Sequence, residues 1–164
     1  MKSTKRMLAV QTVLPADYRQ NDGFKKEMEN LRNNGYGGVE LNMAHPEDLS
    51  LDPILRFLEE YDLTMTNFAS GLTAKTFGLS LSDKDEEERQ RAVAKIKEII
   101  DFLSGSSIGI ILGFFKGPKV DNDEVARLQF SRSMADLIPE ADRKRIPLIV
   151  EATNHYESSV ANSL

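Results

Sequence analysis

The chain has 164 residues, 40% hydrophobic and 29% charged, which suits one globular domain over residues 1–164 that buries its own core. It has no cysteine, so disulfides, thiolate metal sites and cysteine nucleophiles are excluded. Its net charge of -5 argues against a nucleic-acid partner, because phosphate binding needs clustered Lys and Arg.

The basic start, Lys2, Lys5 and Arg6, precedes an apolar run at 7–10 that is too short for a signal peptide. No segment is long enough to span a bilayer, so a cytoplasmic protein with no membrane partner is expected. Residues 7–14 read as a first strand, ended by Pro15. Phe24, Met28 and Leu31 recur at helical spacing, with Gly35 as the stop. Residues 38–43 give a second strand. Asp52 as cap and Pro53 at the first helical position open a second helix, with Ile54, Leu55, Leu58 and Tyr61 as its apolar stripe. Residues 64–70 read as a third strand and 71–81 as a loop. A third helix starts near Ser82 or Asp83, where an acidic run suits the positive end of the helix dipole. Val93, Ile96, Ile100 and Leu103 form its buried face, and Gly105 ends it. The run at 108–115 is apolar enough for a strand buried on both faces. Asp121 and Asn122 cap a fourth helix carrying Val125, Leu128, Met134, Leu137 and Ile138, and residues 146–151 form a fifth strand.

Strand-helix alternation of this kind implies an α/β fold with a parallel sheet and right-handed crossovers. Two architectures fit. One is a five-stranded doubly wound, flavodoxin-like sheet; the other is a partial barrel of the (β/α)8 TIM-barrel type. In both, chemistry belongs at the C-terminal ends of the strands. Gln11, Glu40, Asn42, Asn67, Lys116, Glu151 and Asn154 fall there. Gly35, Gly37 and Gly38 precede a strand instead of following one, which is the wrong context for a dinucleotide loop. Gly113, Gly117 and Pro118 around Lys116 make either a phosphate-binding nest or a plain strand-to-helix loop. His45 lies in the loop after the second strand. His155 follows Glu151 by four residues, a ligand spacing that needs a helix where strand exit is expected, so no histidine metal site is expected within the chain. Glu151 is the leading candidate. A carboxylate at the end of a buried strand pairs with a neighbouring cation or binds a divalent ion such as Mg or Mn.

Four segments carry a family resemblance: Asn-Gly-Tyr-Gly-Gly-Val-Glu-Leu at 34–41; Gly-Leu-Ser-Leu-Ser at 78–82 with Arg-Ala-Val at 91–93; residues 113–117; and Glu-Ala-Thr-Asn-His-Tyr-Glu at 151–157. In these the chain resembles the N-terminal part of the xylose isomerase-like TIM-barrel superfamily of sugar phosphate isomerases and epimerases. The resemblance covers nearly the whole chain, but about five of the family's eight strands. It implies that Glu151 binds a divalent metal (Mn, Mg, Co or Zn) and acts as the catalytic acid/base. It further implies that Glu157 contacts substrate, that Glu40 lines the pocket and that Asn154 belongs to the same substrate-binding group. The family's other metal ligands, an Asp, a His and a Glu, come from later strands for which this chain has no residues.

The resemblance therefore implies a sugar or sugar phosphate isomerase or epimerase, moving a proton next to the carbonyl of a ketose or related sugar with metal assistance. Only seven residues follow Glu157, so the chain alone is expected to be inactive and to hold substoichiometric metal. An alternative is a non-catalytic truncated fragment stabilised by self-association. Less weight falls on an endonuclease IV-like DNA repair enzyme, which uses many histidines where this acidic chain has two. A partial barrel would leave strands 7–14 and 146–151 as free edges. The inward apolar side chains of 108–115 would face an unfilled interior, so a homodimer or higher homo-oligomer is expected.

Overall fold

A computed structural model describes residues 7–162; Lys2, Lys5 and Arg6 lie outside them. Five strands, β1 (Ala9–Val13), β2 (Gly38–Asn42), β3 (Thr64–Ala69), β4 (Gly109–Ile111) and β5 (Leu148–Ile149), form one parallel sheet in the order β1-β2-β3-β4-β5. Sequential order is that of a partial (β/α)8 barrel. A doubly wound sheet would have reversed direction after its first strand.

Five α-helices connect the strands: α1 (Asp22–Asn33), α2 (Leu51–Glu59), α3 (Gly71–Phe77), α4 (Glu86–Phe102) and α5 (Asp123–Lys144). Asn21 caps α1 by accepting from the Phe24 amide at 3.0 Å, and Gly35 adopts the left-handed conformation just past its end (φ 82°). The expected loop at 71–81 is the largest departure, because it contains α3. Ser70, the residue before this helix, gives it no side-chain cap, so local sequence does not announce it. The cap is tertiary: Asn42 at the end of β2 accepts from the Leu72 amide at 2.8 Å, and the Thr73 hydroxyl donates to the Met43 carbonyl at 2.6 Å.

Other boundaries move for local reasons. Helix α2 begins one residue before Asp52, which sits in the first turn instead of at the cap. Helix α4 begins at Glu86, because Asp85 accepts from the Glu87 and Glu88 amides. Strand β4 is shorter than 108–115, since Phe114–Lys116 wind into a 3-10 turn. Strand β5 keeps two residues, and Pro147 before it has no N–H to give the ladder. In α5 the expected apolar stripe splits. Leu137 is buried, whereas Val125, Leu128 and Ile138 are exposed. The helix packs on α4 through small and polar residues, with Ser133 fully buried. There Arg89 donates to Glu86, to Asp136 at 2.9 Å and to Ser133 at 3.1 Å. The Arg89 hydrogen bonds, followed by one from Gln90, pull the Glu86 carboxyl down to about 2.

The core lies between the sheet and its helices. Val39, Leu41, Phe68, Ile110 and Leu112 have no solvent exposure and meet Ile54, Leu58, Ile96 and Ile100, equally buried. The ladder between β2 and β3 carries one bulge. Val39 faces Met65 and Glu40 faces Asn67, leaving Thr66 without an opposite residue. The Thr66 hydroxyl donates to the Val39 carbonyl at 3.1 Å.

Candidate functional site

Alternation along each strand decides what the inner, concave face presents. Pairing places Gln11 beside Glu40, Glu40 beside Asn67, Val13 beside Asn42, and Asn67 beside Gly109. The apolar bulk of β4 and its exit, Ile110 and Leu112, turns to the helices. Gly109 and Ile111 turn inward, and so does Gly113 just beyond the strand. An apolar interior on this strand is thus corrected: the concave face is small and polar along most of its width, with Val13, Ile111 and Ile149 as its main apolar members.

At the C-terminal ends of the strands this face opens into a cleft of about 960 Å3. Gln11, Glu40, Asn42, Glu151 and Glu157 all line it, together with Lys75, Phe114 and Lys116. Glu40 accepts a hydrogen bond from Asn67 Nδ2 at 3.3 Å, which orients the carboxylate along the sheet. The Glu151 carboxylate lies over Gly113, where any β carbon would collide with its Oε2. Glycine at that position is what admits the carboxylate to the cleft.

Lys116 holds the exit of β5 in place. Its side chain is 1% exposed, and Nζ donates to the Glu151 carbonyl at 2.5 Å, to Thr153 Oγ1 at 2.8 Å and to the Ala161 carbonyl at 3.4 Å. Burial lowers its basicity, opposed by the nearby charges of Glu151 and Glu157. All three donors are therefore directed at the chain's own oxygens, so the geometry is that of a latch. The phosphate nest considered for this loop has no cation to offer a ligand. Gly117, at φ 111°, lets the loop close onto Ser80 and Ser82, whose hydroxyls would collide with a β carbon there. Leu81 then donates its amide to the Phe115 carbonyl at 2.9 Å.

Asn154 stands apart from the other candidates. It does not line the cleft, and its Oδ1 accepts from the Tyr156 amide at 2.9 Å and the Glu157 amide at 3.2 Å. That turn sets where Glu157 emerges. His45 also lies outside the cleft, with Nδ1 3.2 Å from Glu47 and its ring 5.3 Å from that of Phe77. His155 packs at a tilt against Tyr156 in an exposed turn. Sequence reasoning missed Lys75 and Phe114, whose ammonium and ring centroid lie 4.6 Å apart at the cleft rim. The 71–81 loop reading hid the first and the long-strand reading hid the second.

Among the described residues no three His, Asp or Glu side chains converge. Glu151 and its neighbours do not by themselves compose a site for the divalent ion that the fold suggests, since such ions take several oxygen or nitrogen donors. No helix among these residues is long and apolar enough to cross a membrane.

This architecture, with polar residues gathered at the C-terminal strand ends, is that of a TIM-barrel protein. A family profile described as a xylose isomerase-like TIM barrel matches residues 28–164, and the chain belongs to that family. No curated protein matches it significantly by sequence. Among solved structures it is similar to 3-keto-D-glucoside 4-epimerase, YcjR, from E. coli: 17% identity, TM-score 0.68, covering 94% of this chain and 59% of that one. It is also similar to L-ribulose 3-epimerase, at 16% identity and TM-score 0.71, covering 95% and 52%. A third is AP endonuclease, family 2, from Brucella melitensis, at 16% identity and TM-score 0.65, covering 92% and 59%. At these identities the likeness is one of fold, and the chain spans 52–59% of the length of these three structures.

Proposed function

We propose that the chain carries the substrate cleft and the proton-transferring carboxylate of a sugar isomerase or epimerase. The observation that carries this reading is the Glu151 carboxylate, admitted to the cleft by Gly113, with Glu40 and Glu157 on the same walls. Glu151 takes the proton from the carbon next to a ketose carbonyl. A second carboxylate, Glu157 or Glu40, returns a proton to the resulting enediolate, which completes the epimer or isomer. A divalent ion would supply charge stabilisation at the carbonyl oxygen, but the described residues do not furnish its ligand set.

The test reads the elementary step instead of turnover. D-fructose and D-ribulose are incubated with the chain in D2O, and deuterium entering the carbon next to the carbonyl is followed by NMR. Slow enzyme-dependent exchange is expected, falling about 100-fold or more in Glu151→Gln. Exchange indifferent to that substitution would overturn the reading.

A second reading, a non-catalytic fragment held together by self-association, is favoured by one feature. Strands β1 and β5 each leave an edge unpaired within the described sheet. A chain inert in the exchange experiment yet dimeric by light scattering would favour it over the first.

A further inference from the structure

A second cleft, of about 940 Å3, lies beside the first, between the end of α3 and the start of α5. The two share three residues, Lys75, Phe114 and Pro118, so they are two compartments of one groove with a common sill. The Phe114 ring is that sill. It is 52% exposed, which is unusual for a phenylalanine, and the Lys75 ammonium lies over it. The second compartment mixes apolar wall, such as Val125, with polar groups, such as Lys84. Neither Lys75 nor Lys84 has a salt-bridge partner among the described residues.

A monosaccharide with its reacting carbon at Glu151 has no use for this second compartment. A longer saccharide does. Sugar rings present a C–H face suited to an aromatic platform and an edge of hydroxyls suited to polar walls. We infer that the substrate is a glycosylated or otherwise extended sugar: its reacting ring sits in the first cleft, and its second unit crosses Phe114 into the second. This rests on the sugar reading proposed above and names its substrate class.

The test titrates the full chain, isotopically labelled, with D-fructose and with two disaccharides that carry fructose at the reducing end, maltulose and lactulose. At least one disaccharide is expected to bind about five- to tenfold more tightly than fructose, with shifts in amides around Val125 as well as Glu151. Phe114→Ala should remove that gain, and Val125→Arg, in the second compartment alone, should remove it while leaving fructose affinity unchanged. Equal affinities, with shifts confined to the first cleft, would overturn the extended-substrate inference and leave the ketose reading standing. Binding of none of the three sugars would overturn the ketose reading, and this inference with it.

Discussion

The two faces of this sheet obey opposite rules. On the helix side Val39, Leu41, Phe68, Ile110 and Leu112 are sealed from solvent; on the concave side Gln11, Glu40, Asn42, Asn67 and Glu151 are open to it. The strands are the same and the residues alternate, so one stretch of chain specifies both. What differs is tolerance. A close-packed face fails when a side chain is removed, whereas an open polar face loses little stability and keeps its freedom to change chemistry.

The sharpest way to break this contrast is to cut each face once. Phe68→Ala removes a fully buried ring that packs edge-on against Phe102 at 6.3 Å. It should cost about 3–5 kcal/mol in urea denaturation. Asn67→Ala, next in sequence but on the concave face beside Glu40, should cost about 1 kcal/mol or less. Equal losses would show that the concave face is as structural as the other.

An intermediate effect is expected from Lys116→Met, which keeps the length of the side chain but removes three donated hydrogen bonds. A loss of about 1–3 kcal/mol follows from leaving buried oxygens unsatisfied. Hydrogen exchange should quicken in residues 151–161 while amides of β2 and β3 keep their protection. Uniform quickening would mean that Lys116 supports the whole sheet instead of the rim alone.

The smallest effect lies far from the cleft, at the contact between α4 and α5, and it appears as a pH dependence. Glu86 ionises at about 2 in the folded chain because Arg89 donates to it, so its contribution is fully present above the ordinary carboxylate value near 4.5. That contribution is lost as pH falls through about 2. Glu86→Gln should therefore be less stable than the parent at pH 6, and the difference should shrink steadily below pH 4.5. A constant offset across that range would assign the loss to packing instead.

The elements that the sequence made legible are those whose signals are local. Helix α1 announces itself through its apolar spacing and Gly35. Strands β2 and β3 end within a residue or so of their expected limits. Helix α3 was illegible because Asn42, from another strand, supplies its cap. Strands β4 and β5 read too long because an apolar run does not say where pairing stops; a 3-10 turn and Pro147 do. At the candidate site Glu40 and Glu151 came from their positions at strand ends and Glu157 from the family resemblance, and all three line one cleft. The role of Gly113 could not be read in advance, since it depends on a side chain 38 residues later in the chain finding that space.

Facing in a strand is a matter of parity: two residues share a side when an even number separates them. Met65 and Phe68 lie on one side although three separates them, because Thr66 is inserted between two correctly paired neighbours. That single residue acts as a phase shift in the code. Upstream of it odd-numbered positions of β3 enter the core, and downstream even-numbered ones do. Deleting Thr66 would restore strict alternation, with Met65, Asn67 and Phe68 keeping the partners Val39, Glu40 and Leu41 and the sides they have now. What would go is the extra residue that bends the strand, and with it the hydroxyl that donates to the Val39 carbonyl. The sides of the sheet are thus indifferent to this threonine, and its consequence is the local curvature of the concave face.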